Sequence, residues 1–157
     1  MGKADGLTDV PVFGHAPEGT IATVRPSAYA ILTNDRGEFA VVRTPEGVYL
    51  PGGGMDPGES PQETVLRETL EECGLSIRIG WRIAKAVQFA WSEAEQTYFE
   101  KRCTFVDAIV LGPDTSRLEP DHELLWVDVD RACEMLTHES HAWVVRGNNR
   151  ESFRVKS

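Results

Sequence analysis

Residues 60–75, "SPQETVLRETLEECGL", constrain the fold more than any other stretch, because both ends of a helix and both of its faces are written in them. Ser60 is a good N-cap, Pro61 suits the first helical position, and Glu63 completes an S-x-x-E capping box. Gly74 stands where a left-handed C-terminal residue is wanted. Between these limits Val65, Leu66, Thr69, Leu70 and Cys73 recur with the helical period and predict a core-facing side. Glu68, Glu71 and Glu72 are three and four positions apart, so they are predicted as neighbours on the opposite side.

Three acids at that end of a helix are unfavourable by themselves. Carboxylates in the last turn oppose the helix dipole by ~0.3–1 kcal/mol each, and their mutual repulsion is of similar size. Arg67 is the only basic residue within the helix; it can pair with Glu63 or Glu71 but cannot serve all three acids. A solvated acidic face is one reading. A hard dication is the other, and clustered carboxylates without His or Cys specify Mg²⁺ or Mn²⁺. The preceding loop, "PGGGMDPGE", favours the second, since consecutive glycines let the backbone approach a metal or a phosphate.

From Gly53 the chain reads G-x5-E-x7-R-E-x-x-E-E-x-G-L, ending at Leu75. This stretch resembles the Nudix box of the MutT-like hydrolases: Gly53, Glu59, Arg67, Glu68, Glu71, Glu72, Gly74 and Leu75 match, and Thr69 departs at an aliphatic position. The resemblance implies an α/β fold, an α/β/α sandwich with a mixed β-sheet. It also implies a Mg²⁺- or Mn²⁺-dependent pyrophosphohydrolase that cleaves the diphosphate bond of a nucleoside diphosphate linked to another group. The metal ligands would be Glu68, Glu71, Glu72 and the backbone carbonyl of Gly52, with Arg67 and Glu59 orienting the acids. Glu72 and Glu68 are base candidates on the helix; Glu119 and Glu123 are candidates on a later loop, Glu123 being preferred for its E-x-x-W setting. Arg43, on the strand before the loop, and the backbone at Gly53 and Gly54 are candidates for substrate phosphate, although Arg43 also fits a plain surface arginine.

The flanking sequence predicts the rest of such a sandwich. "SAYAILTNDRGEFAVVRT" reads as two strands around a turn made by Asn34, Asp35 and Gly37, and Val48 to Leu50 as a short strand before a Gly/Pro loop. "LSIRIGWRIAKAVQFAW" and "QTYFEKRCTFVDAIVL" read as long strands joined at "SEAEQ". A strand at "LLWVDV", a helix at "DVDRACEMLTHE" and a short helix at "SHAWVVRG" follow. Residues 1–20 are expected to be an arm and 147–157 a polar tail, with 1–157 forming one domain.

The net charge of −9 disfavours broad contact with nucleic acid or an anionic membrane, so the expected partner is a small nucleotide, an RNA 5′ end remaining as the nucleic-acid exception. The N-terminus has no apolar core of a signal peptide, and no apolar run reaches the length of a membrane span. Cys73, Cys103 and Cys133 are widely separated and odd in number, which predicts reduced thiols and a cytoplasmic protein. His138 and His141 form the one close histidine pair, at a spacing that suits a metal less well than ordinary packing. Phe89, Trp91, Tyr98 and Phe99 could stack a base or pack the hairpin. No signature selects one nucleotide, a binding-only nucleotide sensor is the non-enzymatic alternative, and the oligomeric state is open, a homodimer included.

Overall fold

A computed structural model describes residues 10–148; the first nine residues of the expected arm, and 149–157 of the expected tail, lie outside the described residues. The elements in order are β1 (Val12–Phe13), β2 (Thr23–Leu32), β3 (Phe39–Thr44), β4 (Gly47–Tyr49), β5 (Gly52–Gly54), α1 (Pro61–Cys73), β6 (Leu75–Ser92), β7 (Thr97–Pro113), β8 (Glu123–Val127), α2 (Val129–Met135) and α3 (Glu139–Asn148). A five-stranded mixed sheet runs β1-β6-β7-β2-β5, and a three-stranded antiparallel sheet runs β4-β3-β8. Among the described residues no helix is long and apolar enough to cross a membrane.

The sandwich follows from how β2 is buried. Its last six residues, Ser27 to Leu32, are all buried, so both faces must be covered. Ala28, Ala30 and Leu32 share one core with Val65 of α1, while Tyr29 and Ile31 share another with Ala132, Val144 and Val145 of α2 and α3. Helix α1 thus lies on one side and α2 with α3 on the other, which is the α/β/α order expected.

Three expectations change. The predicted turn forms, with Asn34 Oδ1 accepting from the Arg36 and Glu38 N–H groups, each at 3.0 Å. Yet β2 and β3 meet only through a Thr33–Phe39 bridge and then enter different sheets, because β2 pairs in parallel with β7 along ten residues. The glycines read as loop form β5, antiparallel to β2. Part of the arm is β1, laid parallel to β6 with Val12 opposite Val87. The two long strands appear as predicted, antiparallel from Leu75–Pro113 to Ser92–Thr97, with the register broken between Ile79 and Ile83.

Helix α1 has the predicted ends. Glu63 N–H donates to Ser60 Oγ at 3.1 Å, and Glu63 Oε1 accepts from Ser60 N–H at 2.8 Å. Gly74 takes a left-handed φ of 65° and donates to the Leu70 carbonyl at 3.1 Å. Its buried residues are Thr64, Val65, Thr69 and Cys73. Leu66, predicted inside, is 40% exposed. Thr64 takes the inner position because its hydroxyl donates to Glu59 at 2.6 Å.

Candidate active site

The acids are not a solvated face. Glu68, Glu71 and Glu72 expose only 18%, 24% and 12% of their side chains, because α1 packs against β5 and the 114–122 segment covers its C-terminal end. That segment is tied down by backbone bonds from Glu119 N–H to the Glu71 carbonyl and from Asp114 N–H to the Gly74 carbonyl, both 2.8 Å. Burial, and next to it the charge of Glu68, pushes Glu72 up to about 9, against a 2.9 Å bond from Gly52 N–H that favours the carboxylate. Burial likewise pushes Glu68 up to about 7, partly offset by Arg67.

Arg67 organises this corner. Its Nε and Nη2 grip Glu59 at 2.7 and 3.0 Å, a fork that, with the Thr64 hydroxyl and Asp56 N–H, holds Glu59 down at about 2. Its Nη1 touches Glu68 and Glu71 only at 3.3 Å each. Of the two helix partners expected for Arg67, Glu71 is the one it reaches, since Glu63 is used by the cap. The ribbon of β5 comes close because it has no side chains: a Cβ at Gly53 would stand 2.8 Å from Glu68 Oε2. At Gly52, φ is 146°, and a Cβ would run into the Ala28 carbonyl oxygen.

Among the described residues no three His, Cys, Asp or Glu side chains already converge as a metal cage. The donor set nevertheless fits a hard cation. It is all carboxylate oxygen, it is partly desolvated, and its charges repel one another while one arginine stays committed to Glu59.

The corner opens into a cleft of ≈ 820 Å³. Gly52, Gly53, Gly54 and Glu72 line one end. Arg25, Ser27, Tyr29, Phe99 and Lys101 come from β2 and β7, Tyr49 and His138 lie beside Lys101, Glu46 precedes β4, and Trp91 with Glu93 and Glu95 comes from the β6–β7 turn. Of the aromatic candidates, Trp91 and Phe99 line the cleft, whereas Tyr98 packs at a tilt against Trp91 with ring centroids 5.0 Å apart and Phe89 is not among the lining residues.

Other candidates fall elsewhere. Arg43 and Glu123 pair with each other across β3 and β8 at 3.4 Å, both largely exposed and neither lining the cleft. Glu119 is the loop acid that lies by the helix carboxylates, where its charge raises both Glu68 and Glu72. His138 and His141 pack ring to ring at 5.2 Å, and His141 is fully buried with Nδ1 accepting from Leu50 N–H at 3.2 Å. The thiols of Cys73 and Cys103 are free and pushed by burial to about 12, far from a nucleophile's range.

Sequence reasoning missed Lys101 and His122. His122 lines the cleft, 3.9 Å from Glu72 and 3.6 Å from Glu119. Lys101 had a signal: Phe99, Lys101, Cys103 and Phe105 alternate on one strand face, and the other three are buried. A cation within an inward apolar alternation marks a special site.

Comparison with known proteins agrees with this arrangement. Residues 23–146 match the NUDIX domain family. The chain is 32% identical over 94 residues to a protein of Bacillus subtilis described as a putative 8-oxo-dGTP diphosphatase, a match covering 59% of this chain and 62% of that one. It is 28% identical over 160 residues to an 8-oxo-(d)GTP phosphatase of Mycolicibacterium smegmatis, covering 93% of this chain. The match spans 48% of that relative, so the chain covers less than two thirds of the length of either protein. A solved NUDIX hydrolase from Nitrosomonas europaea shares the fold with a TM-score of 0.64 at 19% identity, covering 81% of this chain and 89% of that one. With the box helix, the glycine ribbon and the sandwich all in place, the chain belongs to the Nudix hydrolase family.

Proposed function

We propose that the protein is a Mg²⁺- or Mn²⁺-dependent pyrophosphohydrolase that cleaves the diphosphate bond of a nucleoside diphosphate derivative. The observation that carries this reading is a cleft lined both by the desolvated Glu72 with the glycine ribbon and by the aromatic residues Tyr29, Tyr49, Trp91 and Phe99. Glu68, Glu71, Glu72 and the Gly52 carbonyl would hold the cation, which when bound neutralises phosphate oxygens and acidifies a water. Arg67 keeps Glu59 and the outer oxygens of Glu68 and Glu71 in place. The side-chain-free ribbon lets Glu68 approach Gly53 and the Arg25 guanidinium approach Gly54, so a cation of the protein stands beside the acids where phosphate would bind. Glu119, beside the acids and half exposed, is better placed than Glu123 to accept the proton of an attacking water. Two relatives described by their action on 8-oxo-(d)GTP support a free nucleotide as substrate. The acidic rim at Glu46, Glu93 and Asp121 points the same way, because it repels the continuing backbone of an RNA.

The test is product chromatography after incubation with Mg²⁺ and a panel of nucleoside triphosphates, nucleotide sugars, dinucleoside polyphosphates and 5′-triphosphorylated RNA. Cleavage to a nucleoside monophosphate and a second phosphorylated product is expected. A folded protein that turns over none of them is a binding module, and the reading fails.

Loss of protons is linked to the same corner. Glu68 and Glu72 titrate near 7 and 9 in the folded protein against about 4.5 when unfolded, so between those values the folded state binds more protons. Their contribution is therefore fully present below pH 4.5 and is lost as pH rises through 7 and 9. A cation replaces those protons. The rise in melting temperature given by millimolar Mg²⁺ or Mn²⁺ is expected to grow from pH 6 to pH 9; a rise that is absent, or constant with pH, contradicts this.

A further inference from the structure

Among the described residues two cations line the cleft: Arg25, which pairs with Glu95 at 3.3 Å and lies against Gly54, and Lys101, which the proposed chemistry does not use. Lys101 lies on β7, whose neighbour in the sheet is β2, with β5 beyond it; in register Lys101 is opposite Arg25, and Ser27 is opposite Gly54. Two strand spacings of about 4.8 Å put Lys101 roughly 10 Å from the glycine ribbon. That separation is the reach from a nucleotide's phosphates across its ribose to its base.

The setting of this ammonium is unusual. It is half-buried over the Tyr49 ring, between the buried Phe99 and Cys103 on the same strand face, and among the described residues no carboxylate lies within ion-pair distance. Its one hydrogen-bond partner is His138 Nε2, at 3.2 Å. A lysine can only donate, so that nitrogen is the acceptor of a neutral imidazole, and burial with the nearby ammonium keeps His138 neutral, down at about 3. The imidazole is itself braced by the Tyr49 ring at 5.1 Å and the His141 ring at 5.2 Å. The pair is rigid, and the remaining two N–H groups of Lys101 are left for the cleft. Burial lowers Lys101, as does the charge of Arg25, with Glu46 among the groups that offset them; Glu46 and Trp91, the latter 45% exposed, also line the cleft.

On this basis, and resting on the reading that phosphate occupies the glycine end, we propose that Lys101, held by neutral His138, is the specificity-determining contact of the cleft and selects guanine over adenine. The ammonium donates to O6 of guanine, where adenine instead places its N6 amino donor and sets donor against donor; N7 is an acceptor in both bases and does not discriminate. Glu46 supplies an acceptor for the guanine N1–H and N2 amino groups, and Trp91 supplies a flat surface for stacking.

The test has a binding arm and a turnover arm. Without metal, tryptophan fluorescence titrations with GMP and AMP are expected to show GMP binding at least tenfold tighter. Lys101→Met should remove that preference by weakening GMP about tenfold to a hundredfold, the range for one good base contact. With Mg²⁺, the dGTP/dATP ratio of kcat/KM should fall towards one in the same variant, whereas Lys101→Arg should keep part of it. Equal binding of GMP and AMP by the wild type overturns the proposal. Equal weakening of both by Lys101→Met also overturns it, because the lysine would then be reading phosphate. A Lys101-dependent preference for GMP in a protein that hydrolyses nothing would keep this proposal and sink the hydrolase reading instead. Melting curves of both variants verify folding; Lys101→Met, which removes a half-buried charge, should not lower its curve.

Discussion

Glu72→Gln is expected to lower kcat by roughly 10²–10⁴-fold while leaving the metal-free protein at least as stable as the wild type. The two halves have one cause. Without a cation Glu72 titrates at about 9, so at neutral pH its buried carboxyl already carries a proton. An amide of the same shape replaces a neutral group by a neutral group, and its oxygen can still accept the 2.9 Å bond from Gly52 N–H. The folded backbone should not notice. A cation would notice at once, because a carboxylate ligand has become a weak one. Glu68→Gln and Glu71→Gln are expected to follow the same pattern. Glu63→Gln is the internal control: it lies on the same helix but serves the cap, so it should lose a few tenths of a kcal/mol in stability and keep near-normal turnover. Initial rates together with melts in chelator separate the cases. Three late glutamates that prove catalytically silent would return the helix to an ordinary acidic face.

Gly52→Ala is expected to destabilise the fold by about 2–5 kcal/mol and to remove most activity with it. The new methyl group would collide with backbone, the Ala28 carbonyl oxygen and Tyr29 Cα, and neither can rotate away as a side chain could. The residue also has φ 146°, where a Cβ is strained whatever the space. Either β5 leaves β2, or the ribbon shifts and takes the Gly52–Glu72 bond with it. Gly58→Ala is the comparison: φ is 85° there but nothing lies within 4 Å of the added atom, so only backbone strain of about 1–2 kcal/mol remains. Equal melting temperatures for the two variants would mean that the close approach of the ribbon is not needed.

What could be read from the sequence was local. Ser60, Pro61, Glu63 and Gly74 specify α1 through contacts within one or two turns, and the acids that such a helix carries are fixed by its period. The long alternating runs of β6 and β7 were legible for the same reason. What the sequence hid depends on partners far along the chain. The glycines of β5 have no side chains from which a strand could be read, and they pair only because β2 presents a free edge to them. The Asn34 turn is a genuine hairpin signal, but ten residues of parallel pairing with β7 outweigh it and send β2 and β3 to different sheets. Glu123, expected on a loop before the tryptophan strand, is instead the first residue of β8, and the pairing of β8 with β3 puts it opposite Arg43 and turns both towards each other. The cleft collects Glu46, Lys101, His122 and His138 from four separate segments, and no spacing in the sequence relates them.

The central claim is that the α1 carboxylates hold a divalent cation, and the most direct measurement is the electron paramagnetic resonance signal of free Mn²⁺ titrated with the protein. The wild type is expected to quench the free-ion signal in proportion to protein added, and the triple variant Glu68→Gln/Glu71→Gln/Glu72→Gln, folded by its melting curve, to leave it unchanged. Equal quenching by both proteins, or none by the wild type at millimolar Mn²⁺, would contradict the account.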